Sequence, residues 1–383
     1  MSLPAKLGIL GCGVISGIYI ENARNLSKYL DLVAVADVNP TAAQYRAEQY
    51  GVPRALSPEE LLADPEIDIV VNLTPNRLHA SVSTQILEAG KHVYSEKPLA
   101  VYEDEATKLL AVAAAKGRRV GNAPDTFFGG AWQTARKAID DGLIGRPFAA
   151  TATLQPYHSP RAERSAPRPT SPTRTPAPGH VQFFTTEAFK YGVTLVFDMG
   201  PYYFHALINL LGPVGRVAGA TAKPFDEAMR MGSKMKVESP THVTGILEFA
   251  NGVLCQFVAT SDVHPTKLPN IEIYGTEGSL RLPDPNYFPG KVLLRTPDGD
   301  DFVEVECKHP YNQDSRGVGV ADMAVAIAHR RPHRAAGEMG AHVVEIINAL
   351  HKSSDEGRRI DLRTTCPQPE PLPVGLGNWE VDD

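Results

Sequence analysis

Cysteine is scarce in this chain: Cys12, Cys255, Cys307 and Cys366 stand far apart, with no C-x-x-C pair. Such spacing supports neither a zinc site nor a disulfide framework, and it fits a reducing compartment. A surplus of positive charge is missing as well. Lys and Arg number 38 against 44 Asp and Glu, a formal net charge of −6, which leaves no electrostatic footprint for nucleic acid. Aromatic residues make up only 7%, without a base-stacking motif. No apolar run is long enough to span a bilayer, so no membrane partner is expected. His242, His264, His309 and His342 lack metal-ligand spacing, and no metal is expected. No signal-peptide pattern precedes the first strand, and the expected location is the cytoplasm.

What is present is the composition of an ordinary globular protein, 43% hydrophobic and 21% charged, in 383 residues, enough for two domains. The most informative stretch comes first. Leu7, Ile9 and Leu10 read as a buried strand, Gly11-Cys12-Gly13-Val14-Ile15-Ser16-Gly17 as a turn, and Ile18 to Leu30 as a helix. Gly11 permits the tight turn, and Gly13, with no Cβ, lets a pyrophosphate approach the backbone. Val14 and Ile15 follow at the helix entrance, where unpaired N–H groups attract phosphate. Ser16 takes the third glycine's place and is small enough for close helix–strand packing. A plain strand–helix turn is the alternative. The next strand, Leu32 to Ala36, ends at Asp37, about twenty residues on, where a carboxylate bonds the adenosine ribose hydroxyls. Asp37 as a mere cap for the following helix is the rival reading. Together the two signals predict dinucleotide binding. Asp37 would repel a 2′-phosphate, so NAD is expected, with NADP possible through Arg46 or Arg54.

Strand-like and helix-like stretches then alternate to about Gly121, which predicts a doubly wound parallel sheet. Ligands bind beyond the carboxyl ends of such strands. Gly11, Asp37, Thr74-Pro75-Asn76 and Glu96-Lys97-Pro98 all fall at such ends. His79 follows as either a ligand contact or a structural helix histidine. Past Pro147 the alternation stops. From Gln155 to His180 proline, arginine, Ser and Thr dominate, read as a long exposed loop. Strand-like runs from Arg216 to Glu306 predict a mostly antiparallel sheet, closed by two helices and a proline-rich surface tail. The expected division is 1–124 for the cofactor, 125–365 for substrate and oligomerisation, and 366–383 for the tail.

Lys97 leaves a strand end where a nicotinamide ring is expected, with Glu96 beside it to orient the ammonium; a surface lysine is the alternative. Asp198 and Tyr202 stand four apart at a helix start and can share a face as a proton relay. A helix cap and a core tyrosine are the alternative, and His205 is a further relay candidate.

Five groups of residues carry a family resemblance: Gly11 to Ser16, Thr74-Pro75-Asn76 with His79, Glu96-Lys97-Pro98-Leu99, Asp198-x-Gly200-x-Tyr202, and Ile273 to Gly278. The chain resembles the Gfo/Idh/MocA oxidoreductases over nearly its whole length. The resemblance implies a Rossmann domain plus an open-faced β-sheet domain, and a homodimer or homotetramer built through that sheet. It implies hydride transfer between nicotinamide and a sugar, cyclitol or related polyol or keto-sugar. Lys97 matches the family's catalytic lysine, Asp198 its aspartate, and Tyr202 the position where many members carry histidine. With a phenol's ordinary pKa of ~10, Lys97 would have to assist Tyr202. The sequence departs from the family at Gly192-Val193-Thr194-Leu195 and in the proline/arginine stretch before it. Two other functions fit the same fold: a non-redox NAD-dependent glycoside hydrolase, and a non-catalytic dinucleotide-binding sensor.

Overall fold

The computed structural model describes residues 1–155, 177–178, 188–230, 233–264 and 266–382. The loop read at 155–180 therefore lies almost wholly outside the described residues.

The first sheet contains β1 (Ala5–Leu10), β2 (Leu30–Ala36), β3 (Arg54–Leu56), β4 (Ile69–Asn72), β5 (His92–Ser95) and β6 (Val120–Asn122). Its order is β3-β2-β1-β4-β5-β6, and every pair is parallel. Ile9, Val35, Ile69 and Val71 have no exposed surface, because helices cover both faces. The strand order reverses between β1 and β4, which opens the crevice where such sheets bind ligands.

The helices start and stop on local chemistry. They are α1 (Ser16–Asn25), α2 (Pro40–Tyr50), α3 (Pro58–Ala63), α4 (His79–Glu88) and α5 (Glu103–Lys116). The Asn39 side chain caps α2, and Gly51, in the left-handed region, ends it. Ser57 and Glu60 form a reciprocal capping box on α3. Strand β3 was not anticipated, since three half-buried residues are too few to show a period.

Helix α6 (Gly130–Asp140) leads to a second, nine-stranded sheet. Before the rest of that sheet come α7 (Leu195–Asp198) and α8 (Gly200–Leu211). The strands after β7 (Pro147–Leu154) are β8 (Val214–Ala222), β9 (Glu227–Arg230), β10 (Ser233–Lys236), β11 (His242–Phe249) and β12 (Leu254–Thr260). They continue with β13 (Ile271–Gly275), β14 (Ser279–Leu282), β15 (Leu293–Arg295), β16 (Val303–Glu304) and β17 (Ile360–Asp361). The order is β16-β15-β14-β13-β7-β12-β11-β8-β17, antiparallel except for the β12–β7 pair. β9 and β10 form a separate hairpin, polar enough to escape the sequence pattern.

Helices α9 (Val318–Ala328) and α10 (Gly337–Glu356) follow, and α10 packs on β8. Gly219 makes that approach possible: a Cβ there would sit 2.5 Å from the Leu350 carbonyl oxygen. The other face of the sheet stays open, with Ile246 and Leu254 exposed on it.

The tail is held down more firmly than a loose surface segment. It buries Leu372 and Val381, and Asp382 pairs with Arg334 at 2.6 Å. No helix among the described residues is long and apolar enough to cross a membrane.

Candidate active site

The glycine turn, β1 to α1, has the properties of an anion cradle. Gly11 has φ of +107°, and a Cβ there would lie 2.7 Å from the Leu73 carbonyl carbon and oxygen. Only glycine fits so close to the end of β4. No side chain caps α1 and no acid stands in its first turn, which suits phosphate at that end. Val14, at the tip of the turn, is 42% exposed, while Ile15 packs against the core.

Asp37 is buried at the end of β2. It accepts the Cys12 N–H at 2.7 Å and the Asn39 N–H at 2.8 Å. A carboxylate at this strand end is where ribose hydroxyls bond in such folds. The two cations weighed against it are otherwise engaged. Arg46 is buried and donates to the Gly13 carbonyl at 3.0 Å, and Arg54 pairs with Asp64 at 2.6 Å.

Thr74-Pro75-Asn76 leaves β4 beside this turn. Thr74 is fixed by N–H and hydroxyl bonds to Asn72 Oδ1. The Asn76 amide nitrogen is buried with no hydrogen-bond partner among the described residues. An orphaned donor there, with the uncapped helix and the ribose-side carboxylate, fits a nicotinamide dinucleotide.

His79 sits between two turns. Its Nδ1 lies 2.7 Å from the Pro98 carbonyl and its Nε2 2.7 Å from the Thr74 carbonyl. Burial pushes its pKa down, so the neutral ring donates to one of the two carbonyls and braces the turns against each other. Glu96 differs from expectation. It accepts the Tyr19 hydroxyl at 3.0 Å and the Lys97 backbone N–H at 2.9 Å, so it shapes the turn rather than holding the ammonium.

The Lys97 ammonium goes elsewhere. Across the Lys97-Pro98 bond, which is cis, β5 ends and Lys97 enters the cleft. Its Nζ donates to Asp198 Oδ1 and to the Asp198 carbonyl, both at 2.6 Å. Burial pushes the ammonium's pKa down, but Asp198, Tyr202 and Glu96 outweigh this and hold it above the ordinary lysine value. Lys97 therefore remains charged. Asp198 is not a helix cap: it ends α7, while α8 begins after Met199 without any side-chain cap. Tyr202, in the first turn of α8, presents its ring to Lys97 with Nζ 5.3 Å from the centroid. His205 stands apart from the relay, with Nδ1 bonded to the Pro201 carbonyl at 2.8 Å. The structure thus unites Lys97, Asp198 and Tyr202 at the carboxyl end of β5.

A fourth side chain joins them that sequence reading did not find. Arg316, before α9, lies 3.5 Å from the Tyr202 hydroxyl oxygen. No motif marks it, and it stands 114 residues from Tyr202.

The family described as an oxidoreductase family with an NAD-binding Rossmann fold matches residues 5–123. Its C-terminal domain, named GFO/IDH/MocA, matches residues 132–281. The chain belongs to the Gfo/Idh/MocA oxidoreductase family. It is 26% identical to the 1,5-anhydro-D-fructose reductase of Ensifer adhaerens, over 94% of this chain and 99% of that protein. It is 24% identical to the D-glucoside 3-dehydrogenase of Escherichia coli, over 94% and 98%. Levoglucosan dehydrogenase, solved with NADH and L-sorbose, shares the fold with a TM-score of 0.77 at 21% identity, covering 94% of this chain and 99% of that one. The Rossmann half of this Gfo/Idh/MocA protein is thus an NAD-binding domain.

Beneath the site lies Asp125, fully buried, accepting the N–H groups of Gly317 at 2.8 Å and Gly319 at 3.0 Å. Burial pushes its carboxyl from the ordinary 3.8 up to about 6, against the pull of those N–H donors. Between these values the folded protein holds the extra proton, so this group's contribution to stability falls as pH rises from 3.8 to about 6 and is level above. Urea denaturation at a series of pH values, wild type against Asp125→Asn, should show the difference in stability declining through that window. A constant difference would refute the assignment.

Proposed function

We propose that this family member moves hydride between NAD and a sugar, cyclitol or related polyol or keto-sugar. Residues 1–124 serve the cofactor and 125–365 the substrate. The observation that carries the reading is the meeting of Lys97, Asp198 and Tyr202 in the crevice beside the glycine turn. Two full-length relatives named as a sugar reductase and a glucoside dehydrogenase support the substrate class.

NAD bound at the glycine turn supplies the hydride acceptor or donor. The chain's own residues handle charge and proton. An ammonium has three donors. Two of those on Lys97 are spent on Asp198, and the third is left for a substrate oxygen. Because Lys97 stays protonated it is no base; its charge stabilises an alkoxide as it develops. Tyr202 is then the proton carrier, accepting the hydroxyl proton during oxidation and returning it during reduction. Asp198 fixes the ammonium. A passive sensor has no need of this arrangement, so the enzymatic reading is preferred.

Sugars and polyols presented with NAD and with NADP, followed by nicotinamide absorbance, should reveal turnover with NAD preferred. Lys97→Met should lower kcat by about 10²- to 10⁴-fold. NAD affinity, read by fluorescence, should hold within about twofold, since Lys97 is placed on the substrate side. Retained turnover in Lys97→Met would remove the mechanism.

We further place the chain in the cytoplasm, in keeping with four unpaired cysteines. Its proposed assembly is a homodimer or homotetramer through the open sheet face carrying Ile246, 40% exposed, and Leu254, 50% exposed. Light scattering should give a multiple of the 41.5 kDa chain for wild type and a smaller species for Ile246→Asp. A monomeric wild type would end this assignment.

A further inference from the structure

One cation near the cleft has no part in the chemistry above. The Arg316 side chain is only 4% exposed, and its Nη2 lies 3.5 Å from Tyr202 Oη. Its Cζ is 5.8 Å from the Tyr202 ring centroid, and Lys97 Nζ is 5.3 Å from the same point. Two cations therefore lie close to the phenol ring. Arg316 also lies beside its hydroxyl.

Burying a guanidinium is costly, and one ion pair offsets the cost only with good geometry and further hydrogen bonds. The partner carboxylate, Asp314, is 35% exposed at its side chain and gives no reason for Arg316 to be sunk so deep. The surroundings nevertheless hold Arg316 firmly. Its Nη2 donates to Asn286 Oδ1 at 2.8 Å and to the Asn286 carbonyl at 3.0 Å. Asn22 of α1 donates to the Arg316 carbonyl at 2.8 Å and to the Asp314 carbonyl at 2.9 Å. Gly317, in the left-handed region at φ +104°, turns the chain so that its N–H and that of Gly319 reach Asp125. Asn22 belongs to the cofactor half, and Asp125 stands at the first position of the substrate half. Helix α1, which begins at the glycine turn, is thus tied, through one short loop, to the cation beside the phenol.

We propose that Arg316 is a positioning residue for Tyr202, fixing the phenol oxygen in the cleft and stabilising the negative charge left when its proton departs. This rests on the reading of Tyr202 as proton carrier. A buried cation beside that oxygen stabilises charge as it develops there during proton transfer, and the effect is strong where water is largely excluded. Lys97 faces the ring and is committed to Asp198, so it does not replace Arg316.

The test compares wild type with Arg316→Met, which keeps the stem and drops the charge, and Arg316→Lys, which keeps the charge. With 1,5-anhydro-D-fructose and NADH as probe, Arg316→Met should lose about 10²-fold in kcat, as expected for an impaired proton transfer. KM for NADH should move by less than about twofold, because the interaction lost is with the proton carrier and not the cofactor. The solvent deuterium isotope effect on kcat should rise, and Arg316→Lys should recover part of the rate. A second arm needs no substrate. A crystal structure of Arg316→Met should show the Tyr202 phenol oxygen moved from its wild-type position, and Arg316→Lys should restore it. If Arg316→Met fails to fold, Arg316→Gln, uncharged but still a donor, takes its place. An unmoved phenol oxygen in Arg316→Met, or a loss of kcat without an isotope effect or lysine rescue, would overturn the proposal. Full activity in Tyr202→Phe would instead remove the proton-carrier reading itself. A slowed Tyr202→Phe beside an unaffected Arg316→Met removes this inference alone.

Discussion

The contact between the Lys97 ammonium and Asp198, at 2.6 Å to both the carboxylate and the backbone carbonyl, is the constraint around which the cleft is built. Lys97 comes from the end of a strand in the parallel sheet, and Asp198 from the helix pair that precedes the second sheet. One hydrogen-bonded pair therefore sets where the two halves of the chain meet. It also decides the chemistry. A lysine held above its ordinary pKa by Asp198, despite burial, cannot exchange protons near neutrality, so it acts as a fixed charge. The proton must then travel through a different group, and Tyr202 is the one whose ring lies against that ammonium.

The pair is aimed by what lies behind it. His79 lies between the carbonyls of Thr74 and Pro98, 2.7 Å from each, and links the turn after β4 to the turn after β5. Glu96 receives the Tyr19 hydroxyl from α1 and the N–H of Lys97. Through these buried contacts the glycine turn, the Asn76 loop and Lys97 keep a common geometry. Precise placement of this kind is worth far more to a reaction than any single contact is to stability.

Much of this was legible in the sequence, for reasons that differ by element. The glycine turn, Asp37 and the alternating strands and helices depend on local backbone chemistry, and local chemistry is written in adjacent residues. The ends of α2, α3 and α5 fell where caps and glycines put them. Lys97, Asp198 and Tyr202 were legible only as separate candidates, because their meeting spans 101 residues from Lys97 to Asp198 and rests on tertiary packing. The contacts of Glu96 were hidden for the same reason. Sequence adjacency suggested that Glu96 holds its neighbour's ammonium, whereas the backbone directs its carboxylate inward to Tyr19. Arg316 carried no signal at all. Its partners Asn22, Asp125, Asn286 and Tyr202 are drawn from four distant stretches, and no spacing rule joins them.

The claim that a fixed ammonium and a phenol converge on one substrate atom is open to direct observation. A crystal structure of the protein with NADH and 1,5-anhydro-D-fructose should show the sugar's reacting oxygen about 3 Å from both Lys97 Nζ and Tyr202 Oη, within ordinary hydrogen-bond reach, with Asp198 still on the ammonium. A sugar bound with that oxygen out of reach of either group, or an ammonium swung away from Asp198 into solvent, would contradict the account.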